Sequence, residues 1–434
     1  MSSETKPAGP PSLRYSYFAA VMLAVIYTFN FLDRQFLSVL AQPVKADLHL
    51  NDTELGALTG LAFALFYTVF GIPVAALSDK YNRVRIIAVA CALWSVFSAA
   101  CGMAANFTTL ALARMGVGIG EAGGSPPSYS VVSDYFPPEK RGVGLAIYSL
   151  GVPFGTMFGA MSGGWIAAHY GWRAAFFAVG SCGVVLVPLL LLTVREPKRG
   201  QFDAVAPEPA PPAHPAAGLG MFSTIGLFIR TPKLLATALA TGLTSLVGYG
   251  LLNWMPSFLI REKGMTLGQI ALYYSVSLGL TMAIGTWASG VLVDKIGARR
   301  PMFYALVPGI ATLLAVPFFI GVLLAPSWPI ALLFLLGPSI LNIAYLAPAL
   351  AVIQNAVRSE RRGTAGAFLL FILNLVGLGG GPLFVGFMSD RFKAAGVAHA
   401  LTGALMSLTP FFVLAFLCQC AAGYFISRDD RQNL

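Results

Sequence analysis

Asp79-Lys80-Tyr81-Asn82-Arg83 closes one long apolar run, and Asp294-Lys295-Ile296-Gly297-Ala298-Arg299-Arg300 closes another 215 positions later. Two further landmarks recur in the same order. Asn51-Asp52-Thr53-Glu54 and Thr266-Leu267-Gly268-Gln269 both have the form of a capping box that opens a helix, again 215 positions apart. Glu139-Lys140-Arg141-Gly142 returns as Glu360-Arg361-Arg362-Gly363 after 221. Three landmarks in one order indicate a duplicated chain whose halves share a fold.

Between the landmarks the composition is that of a membrane protein. Of 434 residues, 57% are apolar and 11% charged, too apolar a mixture for a soluble globule of this size. Stretches of about 20 apolar residues cross the roughly 30 Å hydrocarbon layer. Twelve are present, at 17–42, 54–78, 84–104, 107–133, 143–168, 174–194, 234–260, 267–293, 302–324, 328–356, 364–389 and 400–426, numbered here as spans 1 to 12. The expected fold class is an all-α membrane protein with twelve transmembrane helices in two pseudo-symmetric six-helix bundles. Residues 1–16 form an N-tail, 17–194 and 234–426 the bundles, 195–233 a linker and 427–434 a C-tail. The linker is charged at first and then rich in Ala and Pro from Pro207 to Pro215, a composition that buries too little apolar surface to order itself. Its last part, 221–229, is apolar and reads as a helix on the membrane surface.

The net charge of +10 raises the question of nucleic acid, and charge placement answers it. Of 28 Lys and Arg, 20 fall on the side that holds both termini, six on the other side and two within the spans. That asymmetry puts both termini in the cytoplasm and explains the basic charge without nucleic acid. The first span is too long for a cleaved signal, so we expect a retained N-terminus and a multi-pass protein of the plasma (cell inner) membrane. The five cysteines lie in apolar spans, with neither metal-ligand nor disulfide spacing, and the four histidines sit in loops or at span edges. There is no nucleophile with a paired base, no nucleotide loop and no metal cluster, so no enzyme, catalytic residue or metal site is expected.

Two places break the uncharged interior. Arg114 and Glu121 stand seven residues apart in span 4, and Asp33-Arg34 lies deep in span 1. Seven steps of 100° return within about 20° of the start, so Arg114 and Glu121 leave one helix face roughly 10 Å apart along its axis. Each charge at that depth costs at least roughly 2.5 kcal/mol, which places them against a cavity or each other and not lipid.

These residues resemble the major facilitator superfamily, over essentially the whole chain after the N-tail. The superfamily's loop signature, Gly-x-Leu-x-Asp-Arg/Lys-x-Gly-Arg-Arg/Lys, stands here as Ala75-Ala76-Leu77-Ser78-Asp79-Lys80-Tyr81-Asn82-Arg83-Val84-Arg85, with Ala75 and Asn82 in place of glycines. The second copy, 290–300, keeps the glycines better. Asn30-Phe31-Leu32-Asp33-Arg34, Arg114 through Glu121-Ala122, and Gly171-Trp172-Arg173 resemble the spinster branch, described as proton-coupled exporters of lysophospholipids and sphingosine phosphates. The Asn-x-x-Asp-Arg piece is shared more loosely with organic-anion:proton symporters.

The resemblance implies that spans 1, 4, 7 and 10 line a central cavity, which brings Asp33, Arg34, Arg114 and Glu121 together. A carboxylate whose hydration changes as such a cavity opens to either side can serve as a proton switch. We expect Glu121 to carry the proton, Arg114 to compete for it and Asp33 to lie nearer the depth of Arg114. Arg34 is then the less committed cation, with paired donors for the anionic head of a substrate. A fixed, structural charge cluster is the alternative. From the other half, Tyr249, Asn253 and Trp254 of span 7, Asn342 and Tyr345 of span 10, and Asn374 of span 11 are the expected cavity residues.

The resemblance further implies a gate in which Asp79 holds the start of span 11 and Asp294 that of span 5, with Lys80, Arg83, Arg141, Lys295, Arg299 and Arg362 around them. Contacts available only when one side is shut bias the conformation. Gly151, Gly155, Gly159 and Gly163 form a small-residue stripe on span 5, which the resemblance places against the other half. Pro126-Pro127 interrupt span 4, and Gly337-Pro338 with Pro348 interrupt span 10. The reading is a monomeric secondary transporter working by rocker-switch alternating access, with no cofactor beyond the proton gradient. Its cargo is an anionic amphipath of the lysophospholipid or sphingoid phosphate class, and its partners are that lipid or small-molecule substrate, protons and the bilayer. Small organic anions, such as sugar acids or dicarboxylates, are the alternative cargo. A non-transporting receptor or scaffold is the alternative from another class.

Overall fold

A computed structural model describes residues 12–202, 221–297, 300–357 and 361–432. Among these residues, eleven helical segments are long and apolar enough to cross a membrane. The remaining span, the fourth, is two shorter helices, Phe107–Glu121 and Ser125–Tyr135. The cause is local. Pro126 and Pro127 carry no N–H for the carbonyls of Ala122 and Gly123, and their rings clash with those carbonyls in a continuous helix. The helix therefore ends at Glu121, with the Gly124 N–H turned back onto the Glu121 carbonyl at 2.9 Å. Both prolines then sit in the first turn of the next helix, where the missing donors cost nothing.

The repeat is visible in the details. Asn51 with Glu54 and Thr266 with Gln269 both form complete capping boxes, and each leads into a π-helical turn, Ala57–Leu61 in span 2 and Ile270–Tyr274 in span 8. Arg141 Nε donates to the carbonyl of Ser133 at 3.0 Å, and Arg362 Nε to that of Gln354 at 3.0 Å. Both bonds reach back eight residues across the loop that follows spans 4 and 10. Span 10 breaks as span 4 does, between Trp328–Leu341 and Leu346–Ala356. The break falls at 342–345, between the prolines and not on them.

Within each half the outer helices meet. Tyr15 OH donates to the Thr193 carbonyl at 2.9 Å, joining the start of span 1 to the end of span 6, and Lys233 binds Asp429 at 2.6 Å, joining span 7 to span 12. These ends define a terminal face, opposite to a far face that carries Lys45 and Arg261. Large apolar side chains such as Val89, Val185, Leu192, Trp287 and Leu333 point outward and are more than half exposed, as a lipid-facing belt requires.

Two apolar cores fill the halves, and each borrows from the other. Leu378 of span 11 joins the N-terminal core, while Val39, Ala41, Leu55 and Ala160 join the C-terminal one. Span 5 packs on the other half as expected, but through residues other than its glycine stripe. A Cβ on Gly155 would come within 2.6 Å of Phe31 Cβ, and one on Gly159 within 2.7 Å of the Leu32 carbonyl, so the stripe seats span 5 on span 1 of its own half. Gly164, one residue past the stripe, meets the other half: a Cβ on it would lie 3.0 Å from the Leu267 carbonyl. The apolar segment after the linker is a helix, Met221–Arg230, whose Phe228 ring packs edge-on against Phe368 at 4.8 Å. The rest of the linker falls largely outside the described residues.

Candidate functional site

Spans 1 and 4 bring the four intramembrane charges together as two pairs. Asp33 accepts from Arg114 Nη1 at 3.2 Å and from the Ser98 hydroxyl of span 3. Arg34 donates from Nε to Glu121 Oε2 at 2.6 Å. Asp33, Arg114 and Glu121 are at most 1% exposed, whereas the Arg34 side chain keeps 14%. Close helix contacts make this geometry possible. A Cβ on Gly118 would lie 2.7 Å from the Phe63 carbonyl, and one on Gly120 would collide with the backbone of Trp94, so bulkier residues would hold span 4 away from spans 2 and 3.

Asp33 is indeed at the depth of Arg114, but the pairing of Glu121 differs from the expectation. Arg34, not Arg114, holds Glu121, and Arg34 is therefore a committed cation. Neighbouring residues on a helix diverge by about 100°, so Asp33 turns toward spans 3 and 4 while the long Arg34 arm covers the distance to Glu121.

Three aromatic rings surround the Arg34 guanidinium, those of Phe31, Phe63 and Tyr67 at 4.8, 4.8 and 4.6 Å; Arg114 lies 5.2 Å from the Phe63 ring. Such cages stabilise a cation through the ring quadrupole. Several buried polar atoms of the pairs and of two intramembrane asparagines have no protein partner: Glu121 Oε1, Arg34 Nη2, Arg114 Nε, Asn30 Oδ1 and Asn342 Oδ1. Unsatisfied groups of this kind are costly in a static core, and each is open to a further hydrogen-bond partner.

The C-terminal half also approaches the charge pairs. Tyr249 is half-buried and packs on the N-terminal core, within electrostatic range of Arg34 and Tyr67. Asn253 is buried one turn further along span 7, accepting from the Ser38 hydroxyl at 2.9 Å and donating to the Tyr249 carbonyl at 2.9 Å. It joins the two halves. Asn342 and Tyr345 are the first and last residues of the break in span 10, and Asn374 lies in the π-helical stretch Leu373–Gly380. Trp254 departs from the expectation. It is buried inside the C-terminal half, its indole N–H given to the Pro382 carbonyl at 2.8 Å, and packs span 7 on span 11.

The loop residues divide. Asp79 and Lys80 are exposed, as are Lys295 and Arg362. Arg83 is buried and bonds within the N-terminal half, to Asp134, to Glu196 at 2.7 Å and to the Ser130 hydroxyl at 2.7 Å, so it braces spans 3 and 4 against the linker in place of joining the two halves. Arg299 and the Asp294 side chain lie outside the described residues. Sequence reading missed Phe63 and Tyr67, since an uncharged aromatic in an apolar span carries no mark of the direction it faces. Among the described residues no group of three or more His, Cys, Asp or Glu is placed to hold a metal ion.

The model of the Major Facilitator Superfamily matches residues 23–382. An MFS-type efflux pump of Mycolicibacterium smegmatis is 34% identical over 91% of this chain and 89% of its own. A hexuronate transporter of Bacillus subtilis is 27% identical over 89% of this chain and 91% of its own. Among solved structures, a bacterial homolog of the human lysosomal transporter Spinster, in an inward-facing and unoccupied conformation, superposes with a TM-score of 0.85 at 31% identity, covering 96% of this chain and 99% of that one.

Proposed function

This chain belongs to the Major Facilitator Superfamily and resembles its spinster branch, and from that premise we propose that it is a proton-coupled transporter of an anionic amphipath, of the lysophospholipid or sphingoid phosphate class. That it is a multi-pass membrane transporter, and not an enzyme, follows from the family. The finer reading is carried by one observation, the Arg34–Glu121 pair made through a single bond, with Glu121 Oε1 and Arg34 Nη2 left over beside it.

In this reading Glu121 carries the proton and Arg34 is shared between Glu121 and the cargo. An anionic head at the Nη edge of Arg34 draws the guanidinium off Glu121, and a buried carboxylate that loses its only cation must gain a proton. Proton and anion then load together. Asp33 and Arg114, bonded to each other, act as the fixed support of the moving pair. The ring cage of Phe31, Phe63 and Tyr67 and the opposing Tyr249 suit a molecule with an apolar body behind its charge. The protein works as a monomer in the cell inner membrane with both termini in the cytoplasm, alternating access by rocking one half on the other.

A second reading, a small organic anion such as a sugar acid, draws on the unpartnered amide oxygens of Asn30 and Asn342, which would accept from substrate hydroxyls, and on the hexuronate transporter among the relatives. Thermal-shift titration of the purified protein with lysophospholipids, sphingoid phosphates and hexuronates, followed by counterflow in proteoliposomes with the best ligand, separates the two. Stabilisation and counterflow by the lipids alone is the expected result; response to hexuronates alone overturns the lipid assignment.

A further inference from the structure

The duplication can be followed, residue by residue, into the charge pairs themselves. Just past span 1 His49 has a positive φ of 53°, and 215 positions on, just past span 7, Gly264 has one of 70°. Ser38 and Gln42 of span 1 bond Asn253 and Ser257 of span 7, each 215 positions away. Spans 4 and 10 keep register at a spacing of 221. Their N-caps are Asn106 and Ser327, and their second half-helices start at Ser125 and Leu346. Gly116 answers to Gly337 and Pro127 to Pro348 at the same spacing. By these registers the counterpart of Arg34 is Tyr249 and that of Glu121 is Asn342, while Asp33 and Arg114 answer to Gly248 and Leu335. The second half holds the same four positions with uncharged residues.

The neutral copy also approaches the charged one. Tyr249 lies within electrostatic range of Arg34, its own counterpart. A Cβ on the neighbouring Gly248 would lie 3.1 Å from Asn342 Nδ2, so Asn342 sits one residue along span 7 from the tyrosine that approaches Arg34. Asn342 Oδ1 is buried without a partner, and the side chains of Gly248 and Leu335 have no donor to give it. A buried carboxylate can shed its cost by taking a proton; an amide oxygen cannot, and needs a donor. Resting on the reading that an anion engages Arg34, we propose that Asn342 determines specificity: its Oδ1 accepts from a hydroxyl of the cargo close to the anionic group, so that one molecule engages the charged site and its neutral copy together. The chemistry is that of a hydroxylated anion. A lysophospholipid with a free glycerol hydroxyl and a hexuronate both supply it.

The experiment compares ligands that differ by one hydroxyl. Apparent affinities are read by thermal-shift titration of the full-length protein with two sets: a lysophosphatidate and its analogue lacking the glycerol hydroxyl, and glucuronate and its analogues lacking one ring hydroxyl each. In the set that binds, the hydroxylated compound is expected to bind roughly five- to tenfold tighter than an analogue without the hydroxyl, the scale of one hydrogen bond. Asn342→Leu is expected to bring its affinity down to that of the analogue while leaving the analogue unchanged. Asn342→Ala serves the same purpose should the leucine variant not purify in a folded state. Arg34→Lys is expected to weaken both compounds alike and to keep their ratio. An Asn342 that only packs span 10 would weaken both compounds together, and a ratio that survives Asn342→Leu or Asn342→Ala overturns the proposal. Which set binds decides the class of cargo, and the ratio within the set decides the role of Asn342, so the two readings fail separately. Stabilisation by neither set removes both.

Discussion

Arg34 and Glu121 meet through one nitrogen and one oxygen, Nε to Oε2 at 2.6 Å, while Arg34 Nη2 and Glu121 Oε1 are buried without partners. A structural ion pair in so dry a place would be expected to satisfy itself bidentately. This one keeps half of each group unspent. Glu121→Gln removes the ionisable oxygen but keeps the shape. In proteoliposomes it should reduce proton-gradient-driven uptake at least tenfold while leaving counterflow, which needs no net proton movement, close to the parent rate. Gradient-driven uptake equal to the parent's would eliminate Glu121 as the carrier.

The neighbouring pair should respond differently. Asp33 is bonded to Arg114 and Ser98, and Asp33→Asn leaves Arg114 as a buried charge without its anion. A loss of about 3 to 5 kcal/mol of stability is the usual scale for such a change, measurable as a lowered unfolding temperature in detergent. Arg34→Lys, by contrast, keeps the charge and loses the fork. It should weaken ligand-induced stabilisation by roughly tenfold in apparent affinity with a much smaller change in the unfolding temperature of the free protein.

Trp254 offers a negative control for the cavity. Its indole N–H satisfies the Pro382 carbonyl inside the C-terminal half. Trp254→Phe removes that bond and part of the packing of span 7 on span 11, at a cost of about 0.5 to 1.5 kcal/mol for the bond. Unfolding should come earlier while the affinity for the best ligand of the thermal-shift titration stays unchanged; a tenfold affinity loss would place Trp254 at the ligand.

On the far face, the Arg173 guanidinium beside Asp47 holds that carboxyl below the ordinary carboxylate range. A depressed carboxylate stabilises the folded state above its unfolded value, about 3.9, and loses that contribution as pH falls through the folded value. The difference in unfolding temperature between the parent and Arg173→Ala should therefore be present at pH 7 and shrink below about pH 4. A difference that grows on acidification would contradict the assignment.

Much of this could be read from the chain, for reasons that are physical. A capping box such as Asn51 to Glu54 is a local object, so its repetition at Thr266 to Gln269 exposed the duplication directly. Arg114 and Glu121 declared themselves because ionised side chains are rare inside apolar spans, and their shared face is a matter of arithmetic on one helix. Which arginine meets Glu121 is another kind of question. It depends on the rotation and depth of two helices against each other and on the reach of a side chain, none of which is written in the spacing. Asp52, Arg261 and Asp390 stand at span ends, where charges are ordinary, and only packing reveals that they bind one another. Trp254 and Tyr249 lie five residues apart on one span and differ in role because one faces span 11 and the other the opposite half.

The C-terminal half carries no Asp, Glu, Lys or Arg within its spans apart from their ends, and in the proposed mechanism Tyr249, Asn342 and Tyr345 are its contribution to the cavity. Under the proposed mechanism the proton and the anionic head are both handled by the first half, and the second half meets the cargo with uncharged side chains. Rewriting span 10 should retune what the transporter accepts without touching the source of its drive, which makes this chain a natural starting point for chimeras that exchange their second half with a relative of different appetite.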